Sequence, residues 1–305
     1  LPSVSSLAEA SELLATANAD GRRLRIGEDL TTDGLSRILE HEAGDLTCTV
    51  ESGVRLSALR TELARHGQRL SLDPPGDPSI GALLAENVSG PLRHRFGAPR
   101  DLLLGVTLVL ADGTVANAGG KVVKNVAGYD LGRLVCGSRG RLALIARASF
   151  RLHPLPKASR TLAVKAPDPA SAVRALFASQ LEPSAVDVLH PGRVAVLFEG
   201  SPRAVDAQIA AARALVGGDE AGDEVWRESR ERQGSSRARV RFEPGRLAET
   251  LADLSEAVLR PAAGVAYTQE SSPSSNVSLA GFRDTRERLL ERLARAFDPN
   301  GTLAA

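Results

Sequence analysis

Glycine placement constrains this chain more than any other feature, because the glycines gather between periodic segments. Gly76, Gly81, Gly90 and Gly97 punctuate one irregular stretch from Ser71 to Gly97. Gly119-Gly120, Gly128, Gly137 and Gly140 form a second cluster. Without a Cβ, backbone N–H groups can approach a ligand closely. A phosphate needs such donors, ideally at the start of a helix. Ser79 to Leu84 offers that arrangement, with Pro78 setting the chain direction and Ser79 able to cap a short helix. Arg100 can add a charged fork for a phosphate or a carboxylate. The competing reading is that these glycines serve tight turns, since no segment is a P-loop or a strict GxGxxG.

The 305 residues suffice for two domains, each with its own core. The breaker His153-Pro154-Leu155-Pro156 divides them into 1–156 and 157–305. Before it, apolar spacing predicts a helix over 5–19, strands over Arg23–Ile26, Leu46–Val50, Leu102–Leu110, Val115–Ala118 and Ser149–Leu152, and a helix over Ser57–His66. Asp112-Gly113 reads as a hairpin turn. After the breaker, Ala163–Lys165, Ala185–Leu189 and Val194–Glu199 read as strands. Pro169–Ser179, Pro202–Val216, Arg246–Leu259 and Arg283–Phe297 read as helices. Asp168 and Pro169 form a cap and first-turn pair. A charged segment runs from Gly217 to Arg239, with Glu231–Arg237 expected to be mobile. The class is α+β, the second half being a smaller unit with an antiparallel sheet.

Aromatic residues are 3% of a chain that is 43% apolar, so Leu, Val, Ile and Ala must build the cores. With 38 basic and 37 acidic side chains, charge gives no reason to expect a nucleic acid as partner. Cys48 and Cys136 lack metal-ligand spacing and read as buried thiols in a reducing compartment. No apolar run reaches the roughly 18 residues that suggest a membrane-spanning helix. The expected location is cytoplasmic, or peripheral at the inner membrane face through partners. The absence of methionine carries the expectation that the natural start is not included.

The run Gly119-Gly120-Lys121-Val122-Val123-Lys124-Asn125-Val126-Ala127-Gly128-Tyr129-Asp130, then Gly137-Ser138-Arg139-Gly140-Arg141-Leu142-Ala143-Leu144-Ile145, is more specific. With Leu39–Thr47, His66–Leu70 leading to Asp73-Pro74-Pro75, Gly97–Gly105 and the tail Phe297–Gly301, it resembles the FAD-binding oxidoreductases of the vanillyl-alcohol oxidase (PCMH) type. Within that family it is similar to the small flavin subunits of glycolate-oxidising complexes. It implies a two-subdomain FAD-binding fold in 1–156 and a cap or substrate-type domain in 157–305. It also implies extended FAD, with Ser79, Ile80 and Gly81 towards the pyrophosphate and Pro75 among the cofactor-binding residues. Gly90, Gly97, Arg100 and Asp101 would run beside it, and Gly140, Leu142 and Ile145 would meet the adenosine end. The implied partners are a larger flavin subunit and an iron–sulfur subunit, the substrate is a 2-hydroxy acid, and no metal is held by this chain.

Three departures stand out. Where the family has a glycine-rich loop after its first strand, this chain has Gly27 followed by Glu28-Asp29-Leu30. Ala82 stands for the second of two glycines. Arg139, Arg141 and Ala143 replace small or neutral residues. No histidine lies beyond His190, and no catalytic residue is assigned. Tyr267 is a candidate base, and Arg241, Arg246 and Arg283 are candidate carboxylate anchors, each also readable as packing or surface residues. Three functions stay open: a flavoprotein-type subunit of a 2-hydroxy-acid oxidising complex, a scaffold subunit without FAD, and a stand-alone FAD-dependent alcohol oxidoreductase.

Overall fold

A computed structural model of the chain describes residues 1–120, 130–270, 289 and 291–303. Helix α1 (Leu7–Ala19) buries Ala10, Leu14 and Ala17 along one side, and the Ser6 side chain accepts from the Glu9 amide at its start. The strand expected over Arg23–Ile26 does not form. Single bridges link Leu24 to Leu303 and Ile26 to Leu30. The chain reverses at once, with the Gly27 N–H donating to the Leu30 carbonyl at 2.7 Å and the Asp29 N–H to that of Arg25 at 2.8 Å.

Beyond this turn come β1 (Ile38–Glu42), β2 (Thr47–Glu51), α2 (Leu56–Ala64), β3 (Gln68–Arg69), α3 (Ile80–Glu86), α4 (Arg93–Phe96) and α5 (Pro99–Leu102). They are followed by β4 (Leu103–Val109), β5 (Val115–Gly119), α6 (Leu131–Val135), β6 (Leu144–Arg151) and β7 (His153–Pro154). Five strands make an antiparallel sheet in the order β1-β2-β6-β4-β5, while β3 pairs with β7. Ser149–Leu152 underestimates β6, because Leu142–Ala146 is buried throughout and shows no period-2 alternation. Leu144 and Ala146 pack with α1 in one cluster, and Ala148 and Phe150 pack with α2 and α3 in another. A register shift between Thr107 and Leu108 of β4 accompanies this change of face. The sheet is thus covered on both sides.

The later part holds β8 (Ala158–Lys165), α7 (Pro169–Ala178), β9 (Ala185–His190), β10 (Arg193–Gly200), α8 (Pro202–Val216), β11 (Asp219–Ala221), α9 (Glu224–Gly234), β12 (Ala238–Arg241), α10 (Leu247–Ala252), β13 (Ala257–Arg260) and β14 (Val265–Thr268). Seven strands form one sheet in the order β11-β8-β10-β9-β13-β14-β12. Val186, Val188, Val196, Phe198, Leu259 and Ala266 pack under the helices on one face. The alternate residues Asp187, Val258 and Tyr267 lie on the other face, as the strand period requires.

Two expectations fail here. Glu231–Arg237 is ordered through Gly234 as part of α9, because Val225, Trp226, Ser229 and Gln233 recur at helical spacing and are all buried. The helix expected over Arg246–Leu259 stops at Ala252, and Ala257–Arg260 is a strand paired with β9 and β14. Sheet pairing overrides local helical propensity there. Residues 291–297 are helical, while the start of the helix expected at Arg283 lies outside the described residues. The tail departs from the unit in which 157–305 places it. Leu303 joins the α1 cluster, and the Leu24 N–H donates to the Thr302 carbonyl at 2.6 Å. Asp298 turns the chain for this return by accepting from the Thr302 and Leu303 amides at 2.8 and 2.6 Å.

Candidate functional site: the glycine track and the domain interface

The two glycine segments meet on one short helix, α3. Ser79 caps it, accepting from the Ala82 amide at 3.3 Å. At this end the Ile80 N–H donates to the Val54 carbonyl at 2.9 Å and the Gly81 N–H to that of Ser52 at 2.7 Å. At the other end the Gly137 N–H donates to the Leu84 carbonyl and the Arg139 N–H to that of Ala85, each at 3.0 Å. The Ser138 and Arg141 amides donate to the Val135 and Ser138 carbonyls. Arg139 also pairs with Glu86 at 3.2 Å.

The absent side chains of these glycines make room for protein. A Cβ on Gly81 would lie 3.0 Å from Ser52 Cβ and 3.5 Å from Thr32 Oγ1. A Cβ on Gly140, whose φ is +77°, would lie 3.1 Å from Ile26 Cβ. Gly90 lies against Asp73, where a Cβ would come within 1.7 Å of the carbonyl oxygen. Gly97 lies against the Asp101 carboxylate, which accepts from the Ala98 amide at 2.8 Å. Arg100 is half-exposed, 3.7 Å from Asp101. Leu142 and Ile145 are buried, and Ile145 packs in the cluster that holds α3. Pro75 is near α9, where a Cβ on Gly234 would touch it. The 121–129 part of the second motif, with Lys124, Asn125, Gly128 and Tyr129, lies outside the described residues.

A second group of polar residues lies where the two sheets' units meet. Arg260 is 3% exposed and donates to the Ser89 carbonyl at 3.2 Å and to Gln233 Oε1 at 2.7 Å. Gln233 donates to the same carbonyl at 3.0 Å. Asp187, fully buried, accepts from the Ser229 hydroxyl at 2.5 Å and sits 3.5 Å from Arg260 Nε, an ion pair beyond good hydrogen-bond geometry. Burial pushes the Asp187 carboxyl up, and the Arg260 cation opposes this. Burial also raises Asp73 to about 7, against the pull of Arg260 and the Leu92 N–H, although the residue as a whole is only part-buried. Reading the sequence missed this network. Its one available signal was Asp187, a lone acid inside the apolar run Ala185–Leu189.

Tyr267 belongs to this interface and is 7% exposed, with Arg260 over its ring at 5.0 Å and Arg239 at 5.9 Å. Arg93 is nearby. Its burial and the charges of Arg239, Arg241 and Arg100 lower it below the ordinary guanidinium value, against the opposing influence of Tyr267. Arg246 instead forms an exposed pair with Glu249, and Arg283 lies outside the described residues. Both cysteines are free, and burial raises each thiol to about 12. No cluster of metal-ligating side chains occurs among the described residues, and no described helix is long and apolar enough to cross a membrane.

Residues 4–119 match the family model described as FAD binding domain. The chain is 31% identical over 201 residues to glycolate oxidase subunit GlcE of Escherichia coli (strain K12), covering 64% of this chain and 56% of that protein. It is 37% identical over 134 residues to glycolate oxidase subunit GlcD of Bacillus subtilis (strain 168), covering 42% and 28%. It is 37% identical over 141 residues to a D-lactate dehydrogenase of Archaeoglobus fulgidus, covering 45% and 31%. The chain therefore spans little more than half of the first relative's length and under a third of the other two. An alkyldihydroxyacetonephosphate synthase has the same fold, with a TM-score of 0.72 over 99% of this chain and 74% of that one, at 17% identity.

FAD is the cofactor of the matched family, and its diphosphate requires unhindered N–H donors. The Ile80, Gly81 and Ala82 amides, and those of Gly137, Ser138, Arg139 and Arg141, already have partners inside the chain. Ser52, with Thr32 behind it, fills the space at Gly81, and Ile26 fills that at Gly140. Ser52 and Ser138 each carry a buried hydroxyl without a protein partner, but both oxygens are closed off from the surface. Among the described residues of the two glycine segments, these amides are not free for a diphosphate in this conformation.

Proposed function

We propose, from the premise that residues 4–119 belong to the FAD-binding domain family of the PCMH type, that this chain is a subunit of a 2-hydroxy-acid oxidising complex. The chain works beside a larger flavin subunit, and an iron–sulfur subunit carries electrons onward. The observation that carries this reading is the extent of likeness. Identity with the E-type subunit continues over 201 residues, well past the matched domain, whereas it spans 134 and 141 residues in the D-type subunit and the D-lactate dehydrogenase.

This reading treats 1–156 as the FAD-binding type of unit and 157–305, apart from its returning tail, as the cap. The described residues gather positive charge at the interface. Arg93 and Arg239 bring positive charge beside the Tyr267 ring, a setting suited to a carboxylate. The site residues Pro75, Ser79, Ile80, Gly81, Gly90, Gly97, Arg100, Asp101, Gly140, Leu142 and Ile145 act in this reading as the frame that holds α3 and its neighbours.

Co-expression with a tagged larger flavin subunit of the GlcD kind tests the proposal. The expected result is stoichiometric co-purification, with glycolate- or lactate-dependent dye reduction that falls when this chain is omitted. A larger subunit that neither retains the chain nor changes in activity without it would sink the reading.

A further inference from the structure

We infer that the diphosphate track of this domain is occupied by the chain's own Arg25–Leu30 turn and its neighbours, so that this protein does not retain FAD by itself. Four observations converge. The turn is closed by its own backbone, through Gly27 to Leu30 and through Glu28 and Asp29 to Arg25. It presents Glu28 and Asp29, both paired with Arg25, so the turn as a whole carries excess negative charge. Along the strip beside α3, its Ile26 stands against Gly140, where a Cβ would lie 3.1 Å from Ile26 Cβ, while the space at Gly81 is taken by Ser52 with Thr32 Oγ1 behind it at 3.5 Å. The amides that border this strip, at Ile80, Gly81, Ala82, Gly137, Ser138 and Arg139, donate to oxygens within the chain.

Binding a diphosphate here would break several of these internal bonds at once. Breaking those at Gly81 and Ile80 would leave the buried Ser52 and Val54 carbonyls without these donors. The strip thus serves to hold α3 against the sheet. The inference bears on the proposed function by making this chain a colourless partner of a flavin-bearing subunit, and it concerns only what the isolated chain binds.

The full chain is expressed in cells supplied with riboflavin, purified and desalted, and its visible spectrum is recorded before and after incubation with excess FAD. The expected result is a flavin-to-protein ratio near zero after desalting. The thermal midpoint, followed by the fluorescence of Trp226, stays unchanged with saturating FAD or with ADP, which carries the same diphosphate. A stoichiometric flavin band, or a saturable rise of the midpoint with either ligand, overturns the inference. A cooperative melt verifies that the chain under test is folded. Capture by the larger subunit is scored separately. A colourless chain that is captured supports both readings, and a colourless chain that is not captured overturns only the proposed function. A yellow chain overturns the inference whatever its partners.

Discussion

Arg69 and Glu199 join the two parts of the molecule through a paired fork, with guanidinium-to-carboxylate distances of 2.6 and 2.7 Å. Arg69 lies on β3, and Glu199 lies on β10 of the larger sheet. Their side chains are only 16% and 8% exposed. Arg69 also stacks over the Phe96 ring at 5.2 Å, so one side chain ties α4 and β3 to the second sheet.

Replacing Arg69 with Ala leaves the Glu199 carboxylate enclosed without its cation. Breaking a buried pair in this way costs about 3–5 kcal/mol, with the lower end expected here because both groups keep some contact with water. Arg69→Met combined with Glu199→Leu should recover much of the loss, since no uncompensated charge remains. Urea unfolding of the two variants checks this, and equal losses in both would refute the charge argument.

Asp73 gives a pH dependence whose sign follows from burial. Its folded value, about 7, lies above the ordinary 3.8. A raised carboxyl favours the folded state when protonated, so its contribution is full below about pH 4 and is lost as pH rises through about 7. Asp187 is shifted in the same direction. Asp73→Asn keeps an acceptor for the Leu92 amide and removes the titration. Thermal midpoints of wild type minus D73N should fall between pH 5 and pH 8, and a flat or rising difference would contradict the assignment.

Gly90 tests the structural use of a glycine that the sequence assigned to a ligand. A methyl at Gly90 would meet the Asp73 backbone, which cannot yield as a flexible side chain does. Gly90→Ala should therefore lower stability by about 2 kcal/mol or more, within the range for overpacking. The loss should be the same with and without FAD. Gly81→Leu, which drives a side chain into Ser52, should behave alike. A variant with unchanged thermal midpoint would show that the contact relaxes.

Trp226 is 4% exposed and its indole N–H donates to Thr161 Oγ1 at 2.7 Å, anchoring α9 on β8. Trp226→Ala should cost about 3–5 kcal/mol. Thr161→Val should cost about 1–3 kcal/mol by leaving the indole donor unpaired. Because Trp226 is the sole tryptophan, its emission in T161V reports directly on α9. An unshifted midpoint in T161V would show that the bond adds nothing net.

Local signals were legible where chemistry and spacing agree within a short window. The Ser79 cap, the Asp168 cap with Pro169, and helix Pro202–Val216 rest on neighbouring residues alone. The FAD-binding type of fold was legible from the ordered motifs, and the family match supports it. Asp187 and Arg260 were not legible as partners, because β9 and β13 are brought side by side only by the sheet.

The amino-acid order by itself determined the α+β class, the caps, the turn at Asp112-Gly113 and the kinship carried by the glycine motifs. These depend on backbone preferences and apolar periods that act over a few residues. Tertiary structure alone decided what the glycines face, where the tail Asp298–Leu303 returns, and which amides stay free. A hydrogen-bond donor is available to a ligand only if no carbonyl from a distant segment reaches it first, and that competition is settled by packing.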